Sequence, residues 1–465
     1  MDLSDRRPMH SLGEPVAFFI LTASLFGLLN CFLVPPFQVP DEFQHFYRAF
    51  SVSEFKLLPR LGHNDVGDFL PASLKTISGP FTDIPHHAAV KTSAAAICDI
   101  FTIPLQRQSR EWISFPGSSI YVPFAYFPQA AALTLHRLEI PPAYLFYLGR
   151  LSALAFWIFT IALAIRLIPH SKWILVVLAL SPMSLFQAAS FSADVVTNAL
   201  AILAVSLFFH LLDRGDPLRR GEVFAIFCLT LAVSLCKIAY IPLMGIFLFL
   251  PRPCFRSSTS RFFFVVLLAI ANLAFPLLWT SAVSPFSPFI PFGVDPKTTA
   301  KYALEHPLRA MYIIIQSIIS GFSQQFTRYI GVLGWLDTPL SPLIRYTWAA
   351  ILAALVLSRD PQRGRIPAPQ AGSALLLGLT SYSAIYILLF FACTQPGSYS
   401  IFGVQGRYFI PIGPFIFISV AFFCQFILDR FSISMNPAKF VPFRIATILV
   451  LSGSSLSLLM RYFDA

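Results

Sequence analysis

Apolar runs of about 20 residues recur along almost the whole chain, and each is long enough to span a bilayer as a helix. The first run, residues 16–36, consists mostly of Phe, Leu, Ala and Val. Short polar stretches separate the runs, and several of them are basic. The pattern predicts an all-α integral membrane protein, a polytopic bundle of transmembrane helices.

Basic patches typically mark the cytoplasmic side of a membrane protein. Six such patches lie between the apolar runs, at Arg6-Arg7, Arg166…Lys172, Arg214…Arg220, Arg252…Arg261, Arg359…Arg365 and Arg430…Arg444. Placing all six inside predicts about eleven crossings, at about 16–36, 143–166, 172–190, 194–212, 221–236, 238–251, 261–281, 340–358, 372–394, 408–428 and 445–461. Because the basic residues before and after it both lie inside, the stretch between Arg220 and Arg252 must cross the membrane twice. This requires two short crossings, one on either side of Lys237.

The same map divides the chain into a cytoplasmic N-terminus, residues 1–15, and a single polytopic membrane domain, residues 16–465. It predicts two long outer segments, 37–142 and 282–339. After Pro40, apolar residues recur at helical spacing opposite a polar face, which predicts an amphipathic helix at the membrane surface, its polar face directed upward or toward the protein. The apolar stretch from Ser118 to Leu135 contains two prolines and is interpreted as interfacial or re-entrant.

Composition supports the membrane assignment. Of the 465 residues, 56% are apolar and 12% are charged, against about 25% charged in soluble domains. The net charge of +11 does not indicate a nucleic-acid partner, because the basic residues lie in short patches between apolar runs. Seven scattered cysteines without a Cys-x-x-Cys pair support neither a disulfide framework nor a metal site.

Ionisable residues at the ends of membrane spans are costly and are therefore candidates for function. On the crossing map six of them converge on the outer side: Asp41, Glu42, Arg150, Asp194, Lys237 and Arg407. Each also has a purely structural interpretation. The two acids could simply stabilise a helix N-terminus, and Arg150 and Asp194 could form an ion pair between two spans. Lys237 could snorkel from a turn, and Arg407 could anchor the end of a span.

This combination suits transfer of a sugar carried on a polyprenyl phosphate. A carboxylate, Asp41 or Glu42, would take the proton of an acceptor hydroxyl, and Arg407, Lys237 or Arg150 would hold the phosphate. Further candidate substrate contacts are His45, Arg48, Asp194, Trp335, Asp337 and Tyr408. For Trp335 and Asp337 an interfacial aromatic and a turn remain an equal alternative, and for His45 a local pair does.

Several motifs together resemble one family. They are Pro40-Asp41-Glu42…His45, Ser181-Pro182-Met183…Asp194…Asn198, Lys237…Tyr240, Gly334-Trp335-Leu336-Asp337 and Gly406-Arg407-Tyr408-Phe409. In this order they are similar to the bacterial membrane proteins called domain of unknown function 2142, which resemble GT-C glycosyltransferases. The resemblance implies a bacterial cytoplasmic (inner) membrane protein with an outward-facing site.

The same resemblance implies specific roles and partners. It implies an acid after the first span, here Asp41 or Glu42, another acid at Asp194, and a Lys or Arg for the lipid phosphate. The partners implied are a polyprenyl-phosphate-linked sugar donor, an envelope glycan, lipid or protein acceptor, and membrane lipid. Some GT-C enzymes need a divalent metal, Mg or Mn, and others do not, so no cofactor is assigned.

Two other function classes compete with a transferase. A transporter or flippase for a lipid-linked or anionic envelope precursor would use the same cations along a path, but it typically shows inverted repeats and charges near the middle of the membrane. The chain shows no internal repeat, and its charges cluster on one side. A scaffold without catalysis would not need two acids beside a histidine and cations.

Overall fold

The computed structural model describes residues 13–62, 65–286, 294–360, 366–430 and 442–464. Its described residues form nineteen α-helices. In chain order, α1 to α10 are Glu14–Leu33, Glu42–Ser53, Ser73–Thr76, Ala94–Asp99, Pro116–Ser119, Phe127–Leu133, Pro142–Leu167, Lys172–Ala179, Pro182–Ala188 and Asp194–Arg214. Then α11 to α19 are Arg220–Cys236, Ile241–Met244, Ser258–Val283, Pro296–Glu305, Pro307–Gly331, Pro342–Leu357, Ala368–Cys393, Gly413–Arg430 and Pro442–Tyr462.

Seven of the described helices are long and apolar enough to cross a membrane: α1, α7, α10, α13, α17, α18 and α19. Two shorter apolar helical stretches, Ile238–Phe249 and Pro342–Leu357, fall below the usual spanning length. The prediction of a mostly helical membrane protein is confirmed. Eleven crossings stay a prediction, and the predicted N-terminus lies almost entirely outside the described residues.

Local sequence explains where the long helices begin and end. The residue before a proline disfavours the helical conformation, so α1 ends just before Pro35-Pro36. Proline is favoured in the first turn of a helix, and α7 begins at Pro142. Helix α10 ends at Gly215, whose φ of 70° is the left-handed conformation that glycine adopts without strain.

Two of the predicted spans are interrupted. The span predicted at 172–190 is split into α8 and α9, because Pro182 begins a new helix and the Ser181 side chain accepts a hydrogen bond from the Ser184 amide. After α11, Lys237 is extended, with φ −155° and ψ 113°, and the chain continues as short helical turns to Phe249.

Five short strands accompany the helices and were not predicted from the sequence. Strands β1 (Arg60–Leu61), β2 (Val66–Pro71) and β3 (Arg110–Ser114) form an antiparallel sheet in the order β1-β2-β3, with Gly67 opposite Ser114. Strands β4 (Val332–Leu333) and β5 (Thr338–Pro339) form a two-stranded antiparallel pair. Both sheets lie in the stretches predicted as outer segments.

Different side-chain contacts lie at the two ends of the helix bundle. At one end, called the site end below, Lys91 donates to the Met460 carbonyl near the end of α19, and Arg150 of α7 reaches the end of α1. At the opposite end, Arg444 pairs with Glu14 at 2.5 Å and Arg359 pairs with Asp429 at 3.3 Å.

Candidate functional site

The adjacent carboxylates Asp41 and Glu42 have different surroundings at the site end. Asp41 precedes α2 with φ 65°, a left-handed conformation that is strained for most residues but tolerated by Asp and Asn. Its side chain is 45% exposed, and its Oδ2 lies 3.3 Å from Nη2 of Arg407. The Glu42 side chain is fully buried. Only Asp41 is therefore accessible to a ligand.

Glu42 is buried against Arg150 in a fully hydrogen-bonded pair. Arg150 Nε and Nη2 donate to the two carboxylate oxygens at 2.9 and 2.6 Å, and the Phe191 amide donates to the same carboxylate at 3.3 Å. The remaining guanidinium hydrogens reach three carbonyls in and just after the last turn of α1, those of Cys31, Val34 and Pro35, at 2.6–3.1 Å. All five guanidinium donors are used, and carbonyls that a helix end leaves unpaired are satisfied.

Asp194 and Lys237 form the second ion pair of the site. Asp194 begins α10, and Lys237 is the extended residue that ends α11. Their side chains meet at 2.5 Å, from Nζ to Oδ1, and the ammonium also lies 4.5 Å from the centre of the Tyr408 ring. The structural alternative that the sequence offered, an ion pair between Arg150 and Asp194, is wrong, because Arg150 pairs with Glu42 and Asp194 pairs with Lys237.

Arg407 lies in a single 3₁₀ turn, Gly406–Phe409, just before α18. Glycine is required at 406, because a β-carbon there would overlap the Tyr329 amide nitrogen. The guanidinium is nearly buried but loosely held: Nη1 and Nη2 donate at 3.4 Å to the Pro40 carbonyl and at 3.3 Å to Asp41. Its buried Nε has no hydrogen-bond partner among the described residues. In contrast to Arg150, this arginine has donor capacity left for a ligand.

His45 lies one turn into α2, in the middle of these charges. Its Nδ1 is 2.7 Å from the Tyr126 hydroxyl, and its ring meets Tyr121 edge to face at 5.6 Å. Burial lowers the pKa of His45 to about 4; nearby Asp41 and Asp194 oppose this shift, and Arg407 and Lys237 add to it. His45 is therefore neutral near pH 7.

The lowered pKa of His45 predicts a pH-dependent stability. The imidazole has a pKa of about 6.5 when unfolded and about 4 when folded, so the unfolded state binds more protons between these values. The contribution of neutral His45 to the free energy of unfolding is therefore complete above about pH 6.5 and is lost as the pH falls toward about 4. We expect His45→Gln to flatten the rise of the unfolding midpoint across this range, measured in detergent, whereas the exposed His306→Gln variant keeps the wild-type slope. Equal slopes in the two variants would contradict this assignment.

The structure brings six of the residues proposed from the sequence into one group: Asp41, His45, Asp194, Lys237, Arg407 and Tyr408. We call this group the carboxylate–cation cluster. Three tyrosines that sequence reasoning missed as site residues also lie there: Tyr121, Tyr126 and Tyr240, whose hydroxyl donates to the Tyr408 carbonyl at 2.8 Å. Only the aromatic richness of the stretch around Tyr121 and the spacing of Tyr240 after Lys237 pointed toward them.

Three other proposed residues lie elsewhere. Arg48 is fully buried and donates to the Lys56 and Leu57 carbonyls, where it closes the loop after α2. The Trp335 indole donates to the Phe37 carbonyl at 3.1 Å. Asp337 pairs with Arg461 at 2.8 Å and accepts a hydrogen bond from the His86 amide. It therefore connects the end of α19 to the loop that contains His86.

No three His, Cys, Asp or Glu side chains in the described part of the chain converge in an arrangement that could hold a metal ion. The carboxylate–cation cluster contributes two carboxylates, Asp41 and Asp194, and each already contacts a cation.

The fold and this cluster define a polytopic membrane protein with a polar, charged group where its helices end. Residues 24–416 match the family described as predicted membrane protein (DUF2142), and the chain belongs to that family. No curated protein and no solved structure matches the chain.

Proposed function

We propose that this protein is a membrane glycosyltransferase of GT-C type, which moves a sugar from a polyprenyl-phosphate donor to a cell-envelope glycan, lipid or protein. The observation that carries the proposal is the accessible carboxylate of Asp41 beside the incompletely bonded guanidinium of Arg407. A base next to a phosphate-binding cation is what attack on a phosphate-linked sugar requires.

The reaction balances with Asp41 as the base. The acceptor oxygen forms a bond to the anomeric carbon, and the bond from that carbon to the phosphate oxygen breaks, leaving its electron pair on polyprenyl phosphate. The proton of the acceptor hydroxyl passes to the Asp41 carboxylate. A single displacement of this kind inverts the anomeric centre. Glu42 is not the base in this scheme, because its carboxylate is buried and bonded to Arg150.

The phosphate of the donor would be held by Arg407. Its contacts to Asp41 and to the Pro40 carbonyl are long, and its Nε is unpartnered among the described residues, so phosphate oxygens can replace them with shorter charge-assisted bonds. Lys237 adds a second positive charge that Asp194 orients. His45, neutral and surrounded by Tyr121 and Tyr126, would contribute polar and aromatic contacts to the sugar.

We propose further that the site end faces outward from a bacterial inner membrane. Helix α10 carries Asp194 at one end and Arg214 at the other, about 30 Å away for 21 residues. Basic residues such as Lys172 and Arg359 lie at the same end as Arg214, opposite the cluster, and basic loops favour the cytoplasm. On this orientation the eleven-crossing map and the outer segments 37–142 and 282–339 are retained within one membrane domain, residues 16–465.

The proposal is tested by release of polyprenyl phosphate from candidate lipid-linked sugars by the full chain in liposomes, with envelope extract as acceptor, with and without Mg²⁺ or Mn²⁺. We expect release that depends on the acceptor. Donor that is bound but never released, and instead appears in the opposite leaflet, would replace the transferase with a flippase.

Removing the Arg407 guanidinium should weaken donor binding. We expect Arg407→Ala to raise the dissociation constant for the lipid-linked sugar at least about tenfold, because a charge-assisted hydrogen bond contributes roughly 1.5–3 kcal/mol. The control is Arg359→Ala, which removes an arginine also paired with an aspartate at 3.3 Å but at the opposite end of the bundle. Equal donor affinity in both variants would exclude Arg407 from phosphate binding.

A further inference from the structure

A second polar cleft lies at the other end of α2 from the carboxylate–cation cluster. Its volume is about 380 Å³, and it is lined by Glu54, Lys56, Arg110, His136 and Arg137. Helix α2 has 12 residues between the two sites, which separates them by about 18 Å. The cleft therefore cannot serve the same chemical step as Asp41.

The charges of this cleft are unbalanced. Its one lining carboxylate, Glu54, is already paired with Lys56 at 2.8 Å and with Arg110 at 2.5 Å. Arg137 is exposed and has no carboxylate within ion-pairing distance in the described ranges; its guanidinium lies 5.4 Å from the centre of the Phe55 ring. Lys56 also pairs with the buried Asp68 at 3.0 Å, so the three lining cations face two carboxylates, and the net positive charge that remains favours an anion.

His136 is the second observation that points to a ligand. It lines the cleft but is only 4% exposed, and the Phe50 ring packs against it at 5.0 Å. Neither ring nitrogen, Nδ1 or Nε2, has a hydrogen-bond partner among the residues that the structure describes. A buried polar group without a partner is unfavourable, and an oxygen of a bound anion would accept a hydrogen bond from the ring nitrogen that carries the proton.

The position of the cleft suggests where such an anion comes from. Arg137 precedes the start of the long apolar helix α7 by five residues, at the level where lipid headgroups lie beside a spanning helix. The rim carries large exposed apolar side chains, Phe55 at 72% and Leu138 at 70%. Apolar side chains beside cations next to a transmembrane helix are typical of a surface in contact with lipid headgroups.

We propose that this cleft binds an anionic phosphate group, supplied by a lipid headgroup or by free phosphate, through Arg137 and the ring nitrogen of His136 that carries the proton. Lys56 and Arg110 add positive charge on the side where Glu54 holds them. The site is separate from the carboxylate–cation cluster, and it stands whether or not the protein transfers sugars.

The test measures the unfolding midpoint of the full chain in neutral detergent against increasing short-chain phosphatidylglycerol, phosphatidylcholine or inorganic phosphate, all at one ionic strength. We expect phosphatidylglycerol to stabilise the protein more than phosphatidylcholine does. Stabilisation by inorganic phosphate but not by phosphatidylglycerol would support the phosphate site and would identify soluble phosphate, not a lipid headgroup, as its ligand.

The variants decide whether the cleft is responsible. We expect Arg137→Gln and His136→Gln each to weaken the apparent phosphate affinity at least about tenfold. The matched control is Arg309→Gln, which removes another exposed arginine that lies over an aromatic ring, 5.5 Å from the Tyr312 centre. The proposal is overturned if Arg137→Gln, which changes an exposed side chain, binds every phosphate probe as tightly as the control variant does.

Discussion

Replacing Asp41 by asparagine is expected to lower sugar transfer at least about 100-fold while the protein stays folded in the membrane. A positioned general base contributes about 10²–10⁴ to a reaction rate, and asparagine cannot accept the proton. Asparagine tolerates the left-handed backbone that Asp41 adopts at φ 65°, so the substitution does not disturb the start of α2. The measurement is the rate of acceptor-dependent polyprenyl-phosphate release per folded molecule.

A second aspartate at a helix start provides the matched control. Asp295 precedes α14 and accepts a hydrogen bond from the Lys297 amide, and asparagine caps a helix equally well. We expect Asp295→Asn to keep wild-type transfer. If Asp41→Asn also keeps it, Asp41 is not the base, and the role must pass to another carboxylate, of which Asp194 is the other one in the cluster.

The sequence alone could not separate Asp41 from Glu42. Both follow Pro40, both carry the same charge, and helical periodicity places them side by side. The difference arises from Arg150, which is 108 residues further along the chain and reaches Glu42 rather than Asp41. Periodicity locates a residue on its own helix, but it does not say which helices pack together, and for that reason the pairing of Arg150 with Asp194 was wrong.

Other features were predictable because they depend on local chemistry. The interruption at Lys237 followed from a charged residue and Pro242 within about 30 apolar residues, and the structure places an extended residue there. A helix after Pro40 was predicted correctly, and of the two orientations left open for its polar face, the structure has it directed into the protein. Its predicted position on the membrane surface is wrong, because the apolar side chains Phe46 and Phe50 are fully buried within the protein. Arg48 is fully buried because the loop after α2 folds back to offer it two carbonyls.

The small sheet of residues 60–114 was not predicted, because its strands carry no local signal and pair over a long sequence separation. Strands β1 and β3 have only two and five residues, and β2 is buried at nearly every position, so no alternation of apolar and polar residues marks it. Pairing of β2 with β3 joins residues about 40 positions apart, from Gly67 with Ser114 to Pro71 with Arg110. That sheet carries Arg110, so the charged cleft could not be foreseen from the sequence either.

Breaking the Glu42–Arg150 pair is expected to cause the largest loss of stability. Glu42→Gln leaves the guanidinium of Arg150 buried without its counter-charge, and removing one partner of a buried ion pair costs about 3–5 kcal/mol. The same arginine also binds carbonyls at the end of α1 and just after it, so the loss should loosen the contact of α1 with α7. The measurement is the free energy of unfolding of the full chain in mixed micelles.

An exposed ion pair supplies the comparison. Glu305→Gln removes the partner of Lys301 on α14, where both side chains are largely exposed and the atoms are 3.8 Å apart, and such pairs contribute less than about 1 kcal/mol. The double variant Glu42→Gln/Arg150→Met should lose less than the sum of the two single variants, because the first change already removes the pair. A loss in Glu42→Gln no larger than in Glu305→Gln would contradict the structural role. With that role, transfer per folded molecule survives in Glu42→Gln and is lost in Asp41→Asn, which separates the two neighbouring carboxylates by experiment.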